Sequence, residues 1–267
     1  MTLSSDTLSS EPDEIGFIDF GDHRLEFVKY CRRNTNTRSL ILLHEGLGSV
    51  TMWRRFPAHL AWTTTAEVIV YSRRGYGSSS PREAPYAVDY MHREARETIP
   101  RLCDILNVVE PILVGHSDGA SIALIHAAEQ NSTVCGVAAM APHIMVEPIS
   151  IQAIGLARQQ FQFSNLREKL VRYHDDPAST FQGWNDIWLH PDFLKWDIRE
   201  LLPNIRCPIL AIQGEDDPYG TMAQVDQIKN LAKSKVEVLK LGNCGHSPHS
   251  EKPEETINAL KAFIGKL

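Results

Sequence analysis

Short apolar runs recur along the chain at residues 39–43, 67–71, 111–114, 135–140, 207–213 and 236–241. Runs of this length, bounded by loop-forming residues, are what strands buried on both faces require. Residues 15–20 and 25–31 instead alternate apolar with polar around Gly21-Asp22, which predicts a hairpin at a sheet edge. Helical spacing predicts a short helix around 53–61, a longer one over 90–106 interrupted near Pro100, a buried one over 120–128 and an amphipathic one over 256–264. Strand, loop and helix repeated in this order predict an α/β fold, a mostly parallel, doubly wound sheet with helices on both faces.

The rhythm breaks between 148 and 203. This block has no strand pattern, only helical spacings dense in Phe161, Phe163, Tyr173, Phe181, Trp184, Trp188, Phe193 and Trp196. It reads as a helical lid inserted between two strands of one sheet, so the core is expected over 15–147 and 204–267. Residues 1–14, rich in Ser, Thr, Asp and Glu, read as a flexible tail with neither the basic nor the apolar region of a secretory signal.

Composition narrows the class. With 267 residues, 43% of them hydrophobic and 22% charged, the chain has enough apolar matter for a large core. A net charge of −6 argues against nucleic acid or an anionic membrane as partner. No apolar run reaches the roughly 20 residues of a membrane span. Five dispersed cysteines without a CxxC pair suit reduced thiols and a cytoplasmic location. The histidines lack metal-ligand spacing, so no metal and no cofactor are expected. The partner is a small-molecule substrate; a homodimer stays open.

The chemistry centres on Gly115-His116-Ser117-Asp118-Gly119, set between an apolar strand and an Ala-rich helix. Gly-x-Ser-x-Gly in that context is a nucleophile elbow, in which the glycines permit a tight turn that lifts the serine hydroxyl to the head of a helix. A serine hydroxyl needs a base, and the base needs a carboxylate to hold its tautomer. Glu215-Asp216-Asp217 follows one later strand and Gly245-His246 the next, in the chain order such a fold demands. Either aspartate could serve by position alone. His116 reads as a packing or hydrogen-bonding residue. His143, just after a strand, is placed to face the pocket or to support it.

Four ordered motifs, His44-Glu45-Gly46-Leu47-Gly48-Ser49, Gly75-Tyr76-Gly77-Ser78-Ser79, the elbow, and Gly214-x-x-Asp217 with Gly245-His246, make the chain resemble the α/β-hydrolase superfamily from Leu25 to Ile264. The resemblance implies Ser117 as nucleophile, His246 as general base and Asp217 as its carboxylate, with the amides of Gly46 and Asp118 as oxyanion hole. It implies a carboxylesterase-like serine hydrolase of small to medium apolar esters, with Glu45, His143, Trp184 and Trp188 in the substrate pocket. Similar lidded relatives cleave a carbon–carbon bond in a dioxo acid or open a lactone with the same triad, and for the acid Arg158, Arg167 and Arg172 are candidate partners. Others only bind a ligand. The chain departs from the pattern at Glu45, where relatives carry Gly, and at Ser72, where many carry Asp. In the superfamily's sheet order the loops after residues 43 and 71 are neighbours, so Arg73 or Arg74 is expected to pair with the Glu45 carboxylate.

Overall fold

The computed structural model describes residues 11–31 and 38–267. Eight strands, β1 (Glu14–Asp19), β2 (Arg24–Tyr30), β3 (Ser39–Leu43), β4 (Glu67–Tyr71), β5 (Ile112–His116), β6 (Gly136–Met140), β7 (Ile209–Gly214) and β8 (Val236–Leu241), form one sheet. Their order is β1-β2-β4-β3-β5-β6-β7-β8. The β1–β2 hairpin and the β2–β4 pair are antiparallel, and every other pairing is parallel. Of the expected tail, residues 1–10 lie outside the described residues. Its end is not loose, because Asp13 accepts from the Cys31 amide and its own amide donates to Lys29 on β2.

The helices are α1 (Phe56–Thr64), α2 (Tyr90–Arg93), α3 (Ile99–Leu106), α4 (Asp118–Ala128), α5 (Pro148–Phe163), α6 (Leu166–Leu170), α7 (Pro177–Trp188), α8 (Ala223–Leu231), α9 (Pro248–Glu251) and α10 (Pro253–Ile264). Side chains alternate across each strand, so Leu40, Leu42, Val68, Val70, Ile112 and Val114 pack toward α1 and α10. Ile41, Ile69, Leu113 and Val137 face the opposite layer, with Met91, Leu102 and Ile125. Both layers are needed because β5, β6 and β7 are buried along their whole length.

Two helix boundaries differ from the sequence expectation, and proline explains both. Pro57 fits only the first turn of a helix, so α1 starts at Phe56, after a 3₁₀ turn over Val50–Trp53. Pro100 does not interrupt its segment: a wider π turn over Glu94–Thr98 precedes it and joins α2 to α3, absorbing the missing N–H.

Between β6 and β7 the chain forms α5, α6, α7 and 3₁₀ turns at Phe193–Lys195 and Arg199–Asn204. Phe161 stacks on Phe181 with ring centroids 4.0 Å apart, and Asn185 on α7 donates to the Ile154 carbonyl on α5. Phe163, by contrast, is exposed. Among the described residues no helix is long and apolar enough to cross a membrane.

Candidate active site

The site begins where β5 stops. Ser117 sits between β5 and α4 with φ 53° and ψ −117°, a strained left-handed conformation for a residue with a Cβ. The flanking glycines are steric necessities. A Cβ at Gly119 would drive into the Leu43 carbonyl, and one at Gly115 into the carbonyl of Gly119. The turn is held because the Ser117 amide donates to the Met140 carbonyl at 2.9 Å.

Two loops bring partners to the serine. His246 Nε2 lies 2.9 Å from Ser117 Oγ, and His246 Nδ1 lies 2.8 Å from Asp217 Oδ2. Asp217 is itself anchored by the Gln213 side-chain amide at 2.7 Å and the Tyr219 backbone amide at 2.8 Å. Burial alone would raise its carboxyl pKa, but the hydrogen bond and charge of His246 bring it below the ordinary value. Asp216 is exposed on the same loop.

The loop after β3 is locked by a neutral histidine and a buried guanidinium. His44 Nδ1 donates to the Glu45 carbonyl at 2.7 Å, and Nε2 accepts the Arg73 amide at 3.0 Å. Burial and the Arg73 charge hold His44 far below its usual pKa. Arg73 donates to the carbonyls of His44 and Glu45 at 2.5 and 2.9 Å, and lies 4.0 Å from the Asp118 carboxylate. The expected pairing of Arg73 or Arg74 with the Glu45 carboxylate is therefore corrected. The loops are neighbours, but the guanidinium, only 3% exposed, aims Nη1 and Nη2 at main-chain oxygens, and Arg74 pairs outward with Glu83 at 2.6 Å.

The Glu45 carboxylate turns to His116 instead, with Oε2 3.3 Å from Nδ1. The opposite nitrogen, His116 Nε2, donates to the His246 carbonyl at 2.7 Å. With acceptors at both nitrogens the surroundings favour the doubly protonated ring. Burial opposes that charge, but Glu45 and the His246 carbonyl outweigh it and raise the His116 pKa. Burial likewise opposes the Glu45 charge, and His116 outweighs it, holding the carboxyl far below the usual range.

A cavity of 220 Å³ opens over the serine, small against the ~300–1,000 Å³ of most ligand sites. Glu45, Gly46, Ser117, Asp118, His143, Trp184, Trp188 and His246 all line it; Asp217 stands behind His246. Leu47, His116, Ile154, Tyr219 and Ser247 complete the wall. Leu47, Ile154, Tyr219 and Ser247 carry no signal in the sequence motifs that marks them as cavity lining. Tyr219, two residues beyond Asp217, was within reach of those motifs. Ile154 was not, since only the packing of α5 over the cavity puts it there. Nor was His174, which carries one hydrogen bond from the Gly77 amide and donates another to the Leu47 carbonyl at 2.9 Å, tying the insertion to the β3 loop. The Trp184 indole lies against Gly46, leaving no room for a Cβ there.

A family model described as the alpha/beta hydrolase family matches residues 40–259. The chain belongs to this family. The hydrolase is 27% identical to the human serine hydrolase BPHL over 203 residues, 74% of this chain and 69% of that one. It is 25% identical to the mouse monoacylglycerol lipase ABHD6 over 186 residues, 58% of this chain and 55% of that one. Its fold matches the proline iminopeptidase of Mycobacterium smegmatis with a TM-score of 0.77 at 20% identity, covering 95% of this chain and 98% of that one.

Proposed function

We propose that this hydrolase is a serine esterase that cleaves small to medium, largely apolar carboxylic esters through an acyl-enzyme. The reading rests on one observation, the continuous line from Asp217 through His246 to Ser117 with contacts of 2.8 and 2.9 Å. In the first half-reaction Ser117 Oγ attacks the ester carbonyl while His246 Nε2 takes its proton. The oxyanion is held by the amides of Gly46 and Asp118. Collapse expels the alcohol, which receives the proton from His246. In the second half-reaction His246 deprotonates water, water attacks the acyl-enzyme, and the acid leaves as Ser117 regains its proton. Asp217 keeps Nδ1 protonated and stabilises the transient imidazolium. The helical insertion acts as lid, with Trp184, Trp188 and Ile154 as its apolar underside.

The names of the human serine hydrolase and the mouse lipase support acyl chemistry at a serine. A dioxo acid would need a cation in the pocket. Arg158 is held by Asn185 and Asp186, Arg167 and Arg172 are exposed, and none lines the cavity.

The test is a fluorophosphonate probe together with a panel of esters. Ser117 is expected to carry the adduct, and Ser117→Ala to lose turnover by roughly 10⁴–10⁶. An adduct mapped to another residue, or ester turnover that survives Ser117→Ala, defeats the reading.

A further inference from the structure

His143 has no task in the scheme above. It lies just after β6, is 2% exposed, and lines the cavity. Its backbone is fixed at both ends by Ser121, whose Oγ donates to the His143 carbonyl at 2.6 Å and accepts the His143 amide at 3.2 Å. Its ring packs edge-on against Trp188, with centroids 4.9 Å apart, and lies 5.8 Å from the His246 ring. Yet Nδ1 is sealed without a hydrogen-bond partner, and among the described residues no hydrogen bond reaches the ring. A buried polar group held this rigidly and left unpaired is costly unless something else completes it. Rotation about χ2, broad and two-fold for imidazole, lets either nitrogen face the cavity.

We propose that His143 is a specificity residue that hydrogen-bonds a second, neutral oxygen of the substrate, a hydroxyl or a ketone, set close to the scissile carbonyl. This deepens the esterase reading and rests on it. The separation from His246 sets the reach: roughly three or four bonds lie between the scissile carbon and that oxygen. The oxygen is neutral because no unmatched Lys or Arg lines the cavity to hold an anion: the charge His116 would carry is matched by Glu45, and Arg73 lies beside Asp118 outside the lining. Burial and the charge of His246 push the His143 pKa down to about 3. The ring therefore stays uncharged through the turnover cycle and can donate with one nitrogen or accept with the other.

Either side of the ester can carry the oxygen, and matched pairs separate the two. On the acyl side, ethyl butanoate is compared with ethyl 3-hydroxybutanoate and ethyl 3-oxobutanoate. On the alcohol side, propyl butanoate is compared with 2-hydroxyethyl butanoate. In the wild-type enzyme kcat/KM for an oxygenated ester on one side should exceed that of its plain partner by about tenfold or more. In His143→Leu that ratio should fall to within about threefold, and His143→Gln should keep part of it. His143→Leu should not lower Tm, since it removes no hydrogen bond within the protein. A wild-type ratio near one on both sides overturns the proposal, as does a ratio that His143→Leu leaves intact or a loss shared equally by both members of each pair. Fluorophosphonate labelling of Ser117 in the same preparations reports the esterase reading separately, so labelling without preference defeats the His143 assignment alone.

Discussion

His116 Nε2 donates to the main-chain carbonyl of His246 at 2.7 Å, so the residue before the serine holds the loop that carries the proposed base. Its other nitrogen faces Glu45 from the β3 loop. One imidazole ring therefore ties together the three loops that meet at Ser117. A glycine at position 45 could not do this.

Glu45→Gln should loosen that junction, reducing stability by about 1–3 kcal/mol and kcat with it. The pH dependence has a definite sign. His116 has a raised folded pKa, so its contribution is complete below the unfolded value near 6.5 and is lost as pH rises through the folded value. Glu45 has a lowered folded pKa, so its contribution is complete above the unfolded value near 4.3 and is lost as pH falls through the folded value. The Tm gap between wild type and Glu45→Gln should thus be widest from about pH 4.3 to 6.5 and shrink on both sides. A gap independent of pH means the pair contributes nothing through its charge.

Asp217→Asn should lower kcat by about 10⁴, because the amide favours the wrong His246 tautomer. Asp216→Asn, on an exposed side chain, should change kcat less than about twofold. Equal losses from the two would remove Asp217 from the triad.

Ser117, Asp217 and His246 stand out in the sequence because each follows a strand whose apolar run is plain, and the strand order brings the three side chains together. Gly115 and Gly119 are equally legible, since the close approach of α4 to β5 at the first and to β3 at the second tolerates nothing larger. What was misread depends on donor counting rather than spacing. Arg73 has neighbours of both kinds, carboxylate and carbonyl, and only burial decides that it takes the carbonyls of His44 and Glu45. His116 is the packing or hydrogen-bonding residue its position suggests, but its partner, a main-chain oxygen 130 positions away, is one that no pattern in the chain announces. The wall contributed by Ile154 was out of reach for the same reason, since helical spacing says which face of α5 is apolar but not what it covers.

The aromatics of the helical insertion should set chain-length preference unequally. Trp188 is 1% exposed and packs on Phe193, so Trp188→Ala should cost about 3–5 kcal/mol of stability. Trp184→Ala removes cavity wall instead, and should shift the optimum along a series of p-nitrophenyl esters toward longer acyl chains. Each added buried methylene contributes about 0.8 kcal/mol, close to fourfold in kcat/KM. If Trp184→Ala scales the whole series by one factor, the indole is structural only.

Gly46 and Trp184 offer a sharper test of how the insertion meets the reacting atoms. Gly46 is not among the glycines with positive φ, so its backbone would accept alanine without strain. The obstacle is the Trp184 indole, which occupies the space an alanine methyl would need. In Gly46→Ala either the indole or the loop must move, and moving the loop displaces the amide proposed to hold the oxyanion. Overpacking of this kind costs about 1–3 kcal/mol, so kcat/KM should fall by about ten- to a hundredfold. Trp184→Ala removes the obstacle, and the double variant should recover most of what Gly46→Ala loses relative to Trp184→Ala alone. The recovery should appear in kcat, where oxyanion stabilisation acts, more than in KM. A double variant as impaired as the sum of the singles would mean that the methyl harms the oxyanion loop directly, and that Trp184 and Gly46 are neighbours without being coupled.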